Sequence, residues 1–215
     1  MGGCFYFGAM KNKIFPQTTT IFSTLLLIIS IGFFAFAEAE TKNCDAKKVV
    51  EAVKALQLEY KGYTLGDQID YKQMARLKKN QAKDSYPGTD KFMDGDLIIV
   101  ADKENHIIVA ISKRVKDASS KQLKELVNEM MLLFGEPTAV AHEKIIYWAY
   151  GKKGKISDET YNKAKDTGKL EVLATVKLNS DKEIFKVTSG KDNKETADVY
   201  VIISSEPLIN CLLKH

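Results

Sequence analysis

The sequence predicts an α+β fold in which helices pack on one face of a mainly antiparallel sheet. Residues 45–59 and 119–134 place apolar side chains three and four residues apart, which is the spacing of an amphipathic helix. Residues 96–101 and 106–112 are β-branched runs, and residues 170–178 alternate apolar with polar side chains. Helices, a hairpin, another helix and then an antiparallel run indicate the α+β class.

The first part of the chain predicts two helices and a region of turns. The helix at 45–59 carries Val49 and Val53 on its apolar side, and a shorter helix is expected after Gly66. Residues 84–95 contain Pro, Gly and Asp, which are typical of turns.

The middle of the chain predicts a hairpin and a capped helix. The runs at 96–101 and 106–112 are mostly apolar, which predicts two paired strands that are buried on both faces. Ser119 and Gln122 have the spacing of a capping box, and the helix that follows has an apolar stripe that includes Leu133.

The last part of the chain predicts one more helix and several strands. A strand at 144–150 precedes a loop and a short capped helix that ends at Gly168. After that glycine the chain is predicted to be all strand, at 170–178, 183–189 and 197–205.

The first 37 residues have the pattern of a secretory signal peptide. Lys11 and Lys13 precede an apolar run at 21–37, which ends in the small-x-small cleavage pattern Ala-Phe-Ala. The alternative is an uncleaved anchor, because 17 apolar residues approach the length that spans a bilayer. We expect cleavage, which leaves residues 38–215 as one exported domain, periplasmic or secreted, with no stable membrane anchor.

The charge balance argues against a nucleic-acid partner. Of 32 basic side chains, two Lys lie in residues 1–37, which leaves 30 basic against 28 acidic side chains in the exported part. Arg, the usual reader of bases, occurs only at positions 76 and 114. Basic and acidic residues are interleaved, as on a solvated surface.

Cysteine usage predicts one disulfide. Cys4 lies in the signal segment, so the exported part contains only Cys44 and Cys211. An even number of cysteines in an exported chain indicates that they pair with each other. Two separate thiols, or an intermolecular bond, are the alternatives.

No complete catalytic or metal motif is present. His142-Glu143 could begin a zinc helix motif, but Ile146 stands where the second His is required. The Gly- and Lys-containing loop at 150–157 lacks the spacing of a phosphate-binding loop, and no nucleophile elbow occurs. We therefore predict no catalytic, cofactor-binding or metal-binding residue and no cofactor.

Three aromatic residues of one strand are the candidate protein-binding residues. Tyr147, Trp148 and Tyr150 are rigid aromatic side chains, the type that contributes most to interface energies. From side-chain alternation we expect Trp148 on one face of the strand and both tyrosines on the other. If Trp148 is in the core, the tyrosines would face outward.

Two half-motifs resemble a family of cell-envelope domains. Residues 60–70 (YKGYTLGDQID), and residues 134–138 (FGEPT) followed by 145–151 (IIYWAYG), are similar to the signatures of β-lactamase inhibitor protein (BLIP) and of the SmpA/OmlA-type lipoprotein of the barrel-assembly machinery. The resemblance covers roughly residues 45–150. It implies BLIP-like tandem helix-sheet units, here 45–115 and 116–205, a protein-binding role in the cell envelope, and no catalytic residues. The acylated Cys of the lipoprotein is missing.

These observations together lead to one functional hypothesis and two alternatives. The chain is expected to be an exported, periplasmic, non-enzymatic domain that binds another envelope protein. The first alternative is a carrier of a small molecule or lipid, with a pocket between helices and sheet. The second is a hydrolase without a recognisable motif.

Overall fold

Six helices and ten strands form in the part of the chain that the structure describes. This computed structural model describes residues 44–83, 85–168, 170–189 and 195–213, so the predicted signal peptide at 1–37 lies outside it. The helices are α1 (Ala46–Lys54), α2 (Tyr71–Leu77), α3 (Ser120–Phe134), α4 (Asp158–Thr167), α5 (Ile184–Ser189) and α6 (Glu206–Leu212). The strands are β1 (Glu59–Tyr60), β2 (Tyr63–Thr64), β3 (Thr89–Asp94), β4 (Leu97–Asp102), β5 (Ile108–Ala118), β6 (Ala139–Ala141), β7 (Ile145–Gly151), β8 (Gly154–Lys155), β9 (Ala174–Ser180) and β10 (Ala197–Ser204).

Eight of these strands form one antiparallel sheet. Seven follow the order β3-β4-β5-β10-β9-β7-β6, and β8 pairs with β7. The strands β1 and β2 form a separate hairpin. The predicted α+β class with a mainly antiparallel sheet is confirmed. Strands from both predicted half-units, 45–115 and 116–205, share this sheet, and the division into half-units stays a prediction.

One face of the sheet, the helix-covered face, forms the hydrophobic core. Side chains directly opposite one another on six strands make a continuous buried row, because residues paired across strands point to the same side. This row consists of Phe92, Ile99, Ile111, Ile203, Val176 and Trp148. The helix α3 packs above it with Leu123, Leu126, Met130 and Phe134, and α5 packs beside α3 with Ile184 and Val187.

The two ends of the described chain are joined to each other. The first helix, α1, packs against the last helix, α6. Cys44 and Cys211 form a disulfide between them, with Cα atoms 5.5 Å apart. The predicted pairing is therefore present in the structure. No helix of the described residues is both long and apolar enough to cross a bilayer.

Several predicted elements are confirmed in detail. The side-chain oxygen of Ser119 accepts a hydrogen bond from the backbone of Gln122 at the start of α3, and the Gln122 side chain accepts from the Ser119 backbone. Ser157 caps α4, which ends at Gly168 in the left-handed conformation. The helix α2 begins after a second capping box, formed by Asp70 and Gln73.

Four predictions about strands and turns are wrong. The strands β4 and β5 are not buried on both faces: their burial largely alternates, because α3 and the core lie on one side of them. Residues 89–94, expected to be turns, form the strand β3, in which only Thr89 and Phe92 are buried. Residues 184–189, expected to be a strand, form α5, and the end of the chain forms α6.

Two predictions about helices are also corrected. The first helix ends at Lys54 rather than near residue 59, since Leu58 and Tyr60 are buried in the hairpin that follows. Leu133 does not belong to the buried stripe of α3, because its side chain is 52 % exposed on the flank of the helix.

Candidate functional site

The predicted orientation of the three aromatic residues of β7 is wrong for one of them. Trp148 and Tyr150 are two residues apart and therefore point to the same face, the helix-covered one. Trp148 is fully buried and Tyr150 is 8 % exposed. Tyr147 alone points to the opposite face, where it is partly exposed.

Trp148 stabilises the end of α3. Its Nε1 donates a hydrogen bond to the carbonyl oxygen of Gly135 at 2.8 Å, and its ring contacts Phe134 with centroids 6.2 Å apart. Gly135 ends the helix with a φ of 71°, a conformation that favours glycine. The Nζ atom of Lys155 donates to the carbonyl oxygens of Phe134 and Glu136 on the same turn. These contacts make the segment from Phe134 onward a structural junction.

Tyr150 belongs to the core. Burial raises the pKa of its hydroxyl to about 12. A ring that is already covered by its own protein cannot provide contact area to a partner. Of the three candidate residues, Tyr147 is thus the one that the structure places on an accessible face.

The sheet face opposite the helix layer, the open face, surrounds Tyr147. Six strands contribute one row of directly opposed side chains to it. This central row consists of Met93, Ile98, Ser112, Ile202, Lys177 and Tyr147. The flanking open-face residues used below are Arg114, Thr175, Asp198, Tyr200 and Ser204.

The open face carries apolar side chains that do not take part in the core. Within the described residues, Ile98, Ile202 and Tyr200 are partly exposed and lie outside the hydrophobic core. Met93 at the edge of the same face is 36 % exposed. Apolar surface that the fold leaves in water is characteristic of interaction sites.

Tyr147 lies between a helix and a lysine. Its ring contacts Tyr161 of α4, with centroids 5.9 Å apart, and the Nζ atom of Lys177 lies 5.6 Å from the ring centroid. Burial raises the pKa of the Tyr147 hydroxyl, and the nearby Tyr161 and Glu206 raise it further. The helix α4 thus covers part of the ring and leaves the rest accessible.

A groove of about 280 Å³ runs beside Tyr147. Its floor is β9 and its far wall is the start of α6. The residues that line it include Tyr147, Thr175, Lys177, Ser204, Glu206 and Pro207.

A second pair of a cation and an aromatic ring lies elsewhere on the open face. The guanidinium carbon of Arg114 lies 5.2 Å from the centroid of the Tyr200 ring. Arg114 also forms an ion pair with Asp198, which accepts a further hydrogen bond from the backbone of Asp117. The bond from Arg114, followed by the one from Asp117, lowers the pKa of Asp198.

The open face combines paired and unpaired charges. Arg114 is paired there with Asp198, whereas Lys177 forms no ion pair with any residue that the structure describes. Glu206 adds a second carboxylate at the groove beside Lys177. Lys116, the next lysine along β5, is exposed and close enough to contribute to the lowered pKa of Asp198.

Sequence reasoning missed Tyr200 and Arg114. Alternation in residues 197–204 puts Tyr200 on the face opposite Val199, so its orientation could have been read from the sequence. Its proximity to Arg114 could not, because the pairing of β5 with β10 joins residues 86 positions apart.

The described residues contain no group of side chains that could form a metal centre. No group of three His, Cys, Asp or Glu side chains is close enough to hold a metal ion in the described part of the chain. His142 and Glu143 both have positive φ values in the turn between β6 and β7, which excludes the helix that the zinc motif needs.

No protein-family model, curated protein or solved structure matches this chain. The resemblance to β-lactamase inhibitor protein and to the SmpA/OmlA type therefore stays a prediction.

Proposed function

We propose that the protein is an exported, periplasmic, non-enzymatic domain that binds another protein on the open face of its sheet. One observation carries this proposal: the open face combines partly exposed apolar and aromatic side chains with a sheet that supports them rigidly. Aromatic residues and Arg are enriched where interfaces are strongest. Tyr147, Tyr200 and Arg114 are the proposed anchors.

Charge complementarity identifies the kind of partner. Lys177 on the open face and Lys116 beside it form no ion pair with any described residue, and Asp198 is already paired with Arg114. Such a surface attracts an acidic partner and repels a basic one. The proposed occupant is therefore a protein surface on which acidic side chains surround an apolar centre.

Export is supported by the sequence and by the disulfide. Residues 1–37 have the three parts of a signal peptide. The pairing of Cys44 with Cys211 is the kind of bond that persists in oxidising compartments such as the periplasm.

Site-specific photo-cross-linking tests the proposal. A benzophenone amino acid at position 200 or 202 should capture the same protein during production in the exporting cell, through a peptide rich in Asp and Glu. A matched control at Tyr71, which is 88 % exposed on α2, should not capture that protein. Mass spectrometry then identifies the partner for purification.

Binding measurements with the purified partner complete the test. Tyr200→Ala should weaken the affinity at least tenfold, since anchors of this kind contribute about 2 kcal/mol or more. Raising the salt concentration should weaken the affinity of the wild type for the partner as well. Capture of lipid alone would overturn the proposal and favour the carrier hypothesis. Equal capture of the protein from position 71 would also overturn the proposal, because it would show that capture does not depend on the open face.

A further inference from the structure

We propose that the groove beside Tyr147 is a carboxylate-binding subsite, which receives one Asp or Glu side chain of the partner. This inference rests on the proposed function and specifies the chemistry of one contact. It is carried by three polar side chains that line the groove and have no hydrogen-bond or ion-pair partner among the described residues, and by the rings beside them.

Lys177 is the cation of this subsite. Its side chain is only partly exposed, yet in the described part of the protein its ammonium forms no ion pair within 4 Å. The ammonium lies 5.6 Å from the centroid of the Tyr147 ring. Arg114, by contrast, is already paired with Asp198. An ammonium that is in no ion pair and lies in a partly desolvated groove gains from an incoming carboxylate more than one in open water.

Two hydroxyl groups provide further donors. Thr175 and Ser204 face each other across β9 and β10, two residues along from Lys177 and Ile202 respectively, so both point into the same groove. Neither hydroxyl is hydrogen-bonded to any residue that the structure describes. One ammonium and two hydroxyls are a suitable donor set for the two oxygens of a carboxylate.

The walls of the groove select a side chain rather than a large ligand. The ring of Tyr147, fixed by Tyr161, forms one wall, and Pro207 at the start of α6 forms the other. A volume of about 280 Å³ lies just below the range of pockets that bind drug-sized molecules. The apolar walls can cover the methylene groups of an Asp or Glu side chain while its carboxylate reaches Lys177.

Glu206 limits the affinity of the subsite. Its carboxylate lines the same groove and lies close enough to raise the pKa of the Tyr147 hydroxyl. A like charge in the wall of the groove opposes an incoming carboxylate. Removing this charge should therefore strengthen binding, an effect that loss of structure could not produce.

A titration with hexaglutamate peptide, followed by nuclear magnetic resonance of the full oxidised protein, tests the inference. The backbone amides of Tyr147, Thr175 and Lys177 should shift most. Hexaglutamine peptide should cause no such shift.

Three charge variants give the decisive comparison. Lys177→Gln should weaken hexaglutamate binding at least tenfold, and Glu206→Gln should strengthen it several-fold. The matched control Lys116→Gln, an exposed lysine near the open face, should change it by less than about twofold, as expected for a solvent-screened charge. Each variant should keep the melting temperature of the wild type.

The outcomes separate this inference from the proposed function. Equal losses in Lys177→Gln and Lys116→Gln, or shifts confined to the surroundings of Arg114, would overturn the carboxylate subsite and leave the open face as the docking surface. The cross-linking experiment at positions 200 and 202 fails or succeeds independently, because neither residue lines the groove.

Discussion

Adjacent residues of β7 have opposite roles because a strand exposes its two sides to different environments. Trp148 fills the core and binds the carbonyl oxygen of Gly135, whereas Tyr147 faces the groove. An aromatic side chain therefore stabilises the core at one position of this strand and is available for contact with a partner at the adjacent position.

Trp148→Ala should lower the free energy of unfolding by about 3–5 kcal/mol, because it leaves a large cavity and an unpaired carbonyl oxygen. Tyr147→Ala should cost no more than about 1 kcal/mol, since its ring is partly exposed and packs mainly on Tyr161. Urea denaturation followed by circular dichroism measures both. Equal losses in the two variants would contradict the division of roles.

Tyr150 should make the protein sensitive to alkali. Burial raises the pKa of its hydroxyl to about 12 in the folded state, from 10.0. Because the pKa is higher in the folded state than in the unfolded state, the contribution of Tyr150 to the free energy of unfolding is fully present below pH 10. That contribution is lost as the pH rises toward 12. By pH 11 the loss from this one residue is about 1 kcal/mol.

The variant Tyr150→Phe should therefore lose less stability than the wild type between pH 9 and pH 11, as measured by thermal melting. Tyr71→Phe, which changes an exposed ring, is the control and should follow the wild type. If the melting temperature of Tyr150→Phe falls with pH as steeply as that of the wild type, other groups cause the loss of stability in alkali.

At the scale of single elements, α3 depends on local signals that lie within the helix itself. Its capping box and its apolar stripe both lie within residues 119–134, so the local sequence indicates this helix without any information on strand pairing. Ser119→Ala should lower the free energy of unfolding by about 1 kcal/mol, because one backbone donor at the helix start loses its acceptor. Lys121→Ala, on the exposed side of the same turn, should leave it unchanged within about 0.5 kcal/mol in the same urea measurement.

Elements with a clear period could be predicted from the sequence, and short ones could not. Alternation correctly predicted the strand β9 and its buried residues Ala174, Val176 and Leu178, but the strand covers 174–180 rather than 170–178. The helix α5 was mistaken for a strand because six residues span less than two turns, and Ile184 with Val187 is too little to show a helical period. Phe and β-branched residues in that segment favour a strand until α3 supplies the contact that stabilises a helix.

The candidate site was harder to predict than the elements that carry it. Alternation could predict which face of its strand each of Lys177 and Tyr147 lies on. Their contact, however, requires β7 to pair with β9 in one particular register. The same holds for Arg114 and Tyr200. A site composed of cross-strand neighbours depends on topology, which a single sequence does not report.

At the scale of the whole molecule, the disulfide constrains almost the entire described chain. Cys44 and Cys211 are separated by 167 positions, so their bond restricts the unfolded state strongly. In the chain-entropy description, replacing both residues by Ser should cost on the order of 5 kcal/mol. Urea denaturation of the Cys44→Ser, Cys211→Ser double variant measures this loss.

A thiol titration of the purified wild type provides the matching control. The folded, non-reduced protein should show no reactive thiol at Cys44 or Cys211. Two reactive thiols, or a double variant as stable as the wild type, would contradict the structural role of the bond.

The position of β10 has a consequence for how the protein is made. The strands β3–β5 and the strands β6–β9 meet in the sheet only through β10, which follows all of them in the described chain. Until it arrives, a growing chain holds two incomplete sheets whose facing edges, β5 and β9, have unpaired backbone groups and are prone to aggregate. Removing β10 would therefore divide the sheet into two separate parts, and the sheet cannot be completed before β10 has been synthesised.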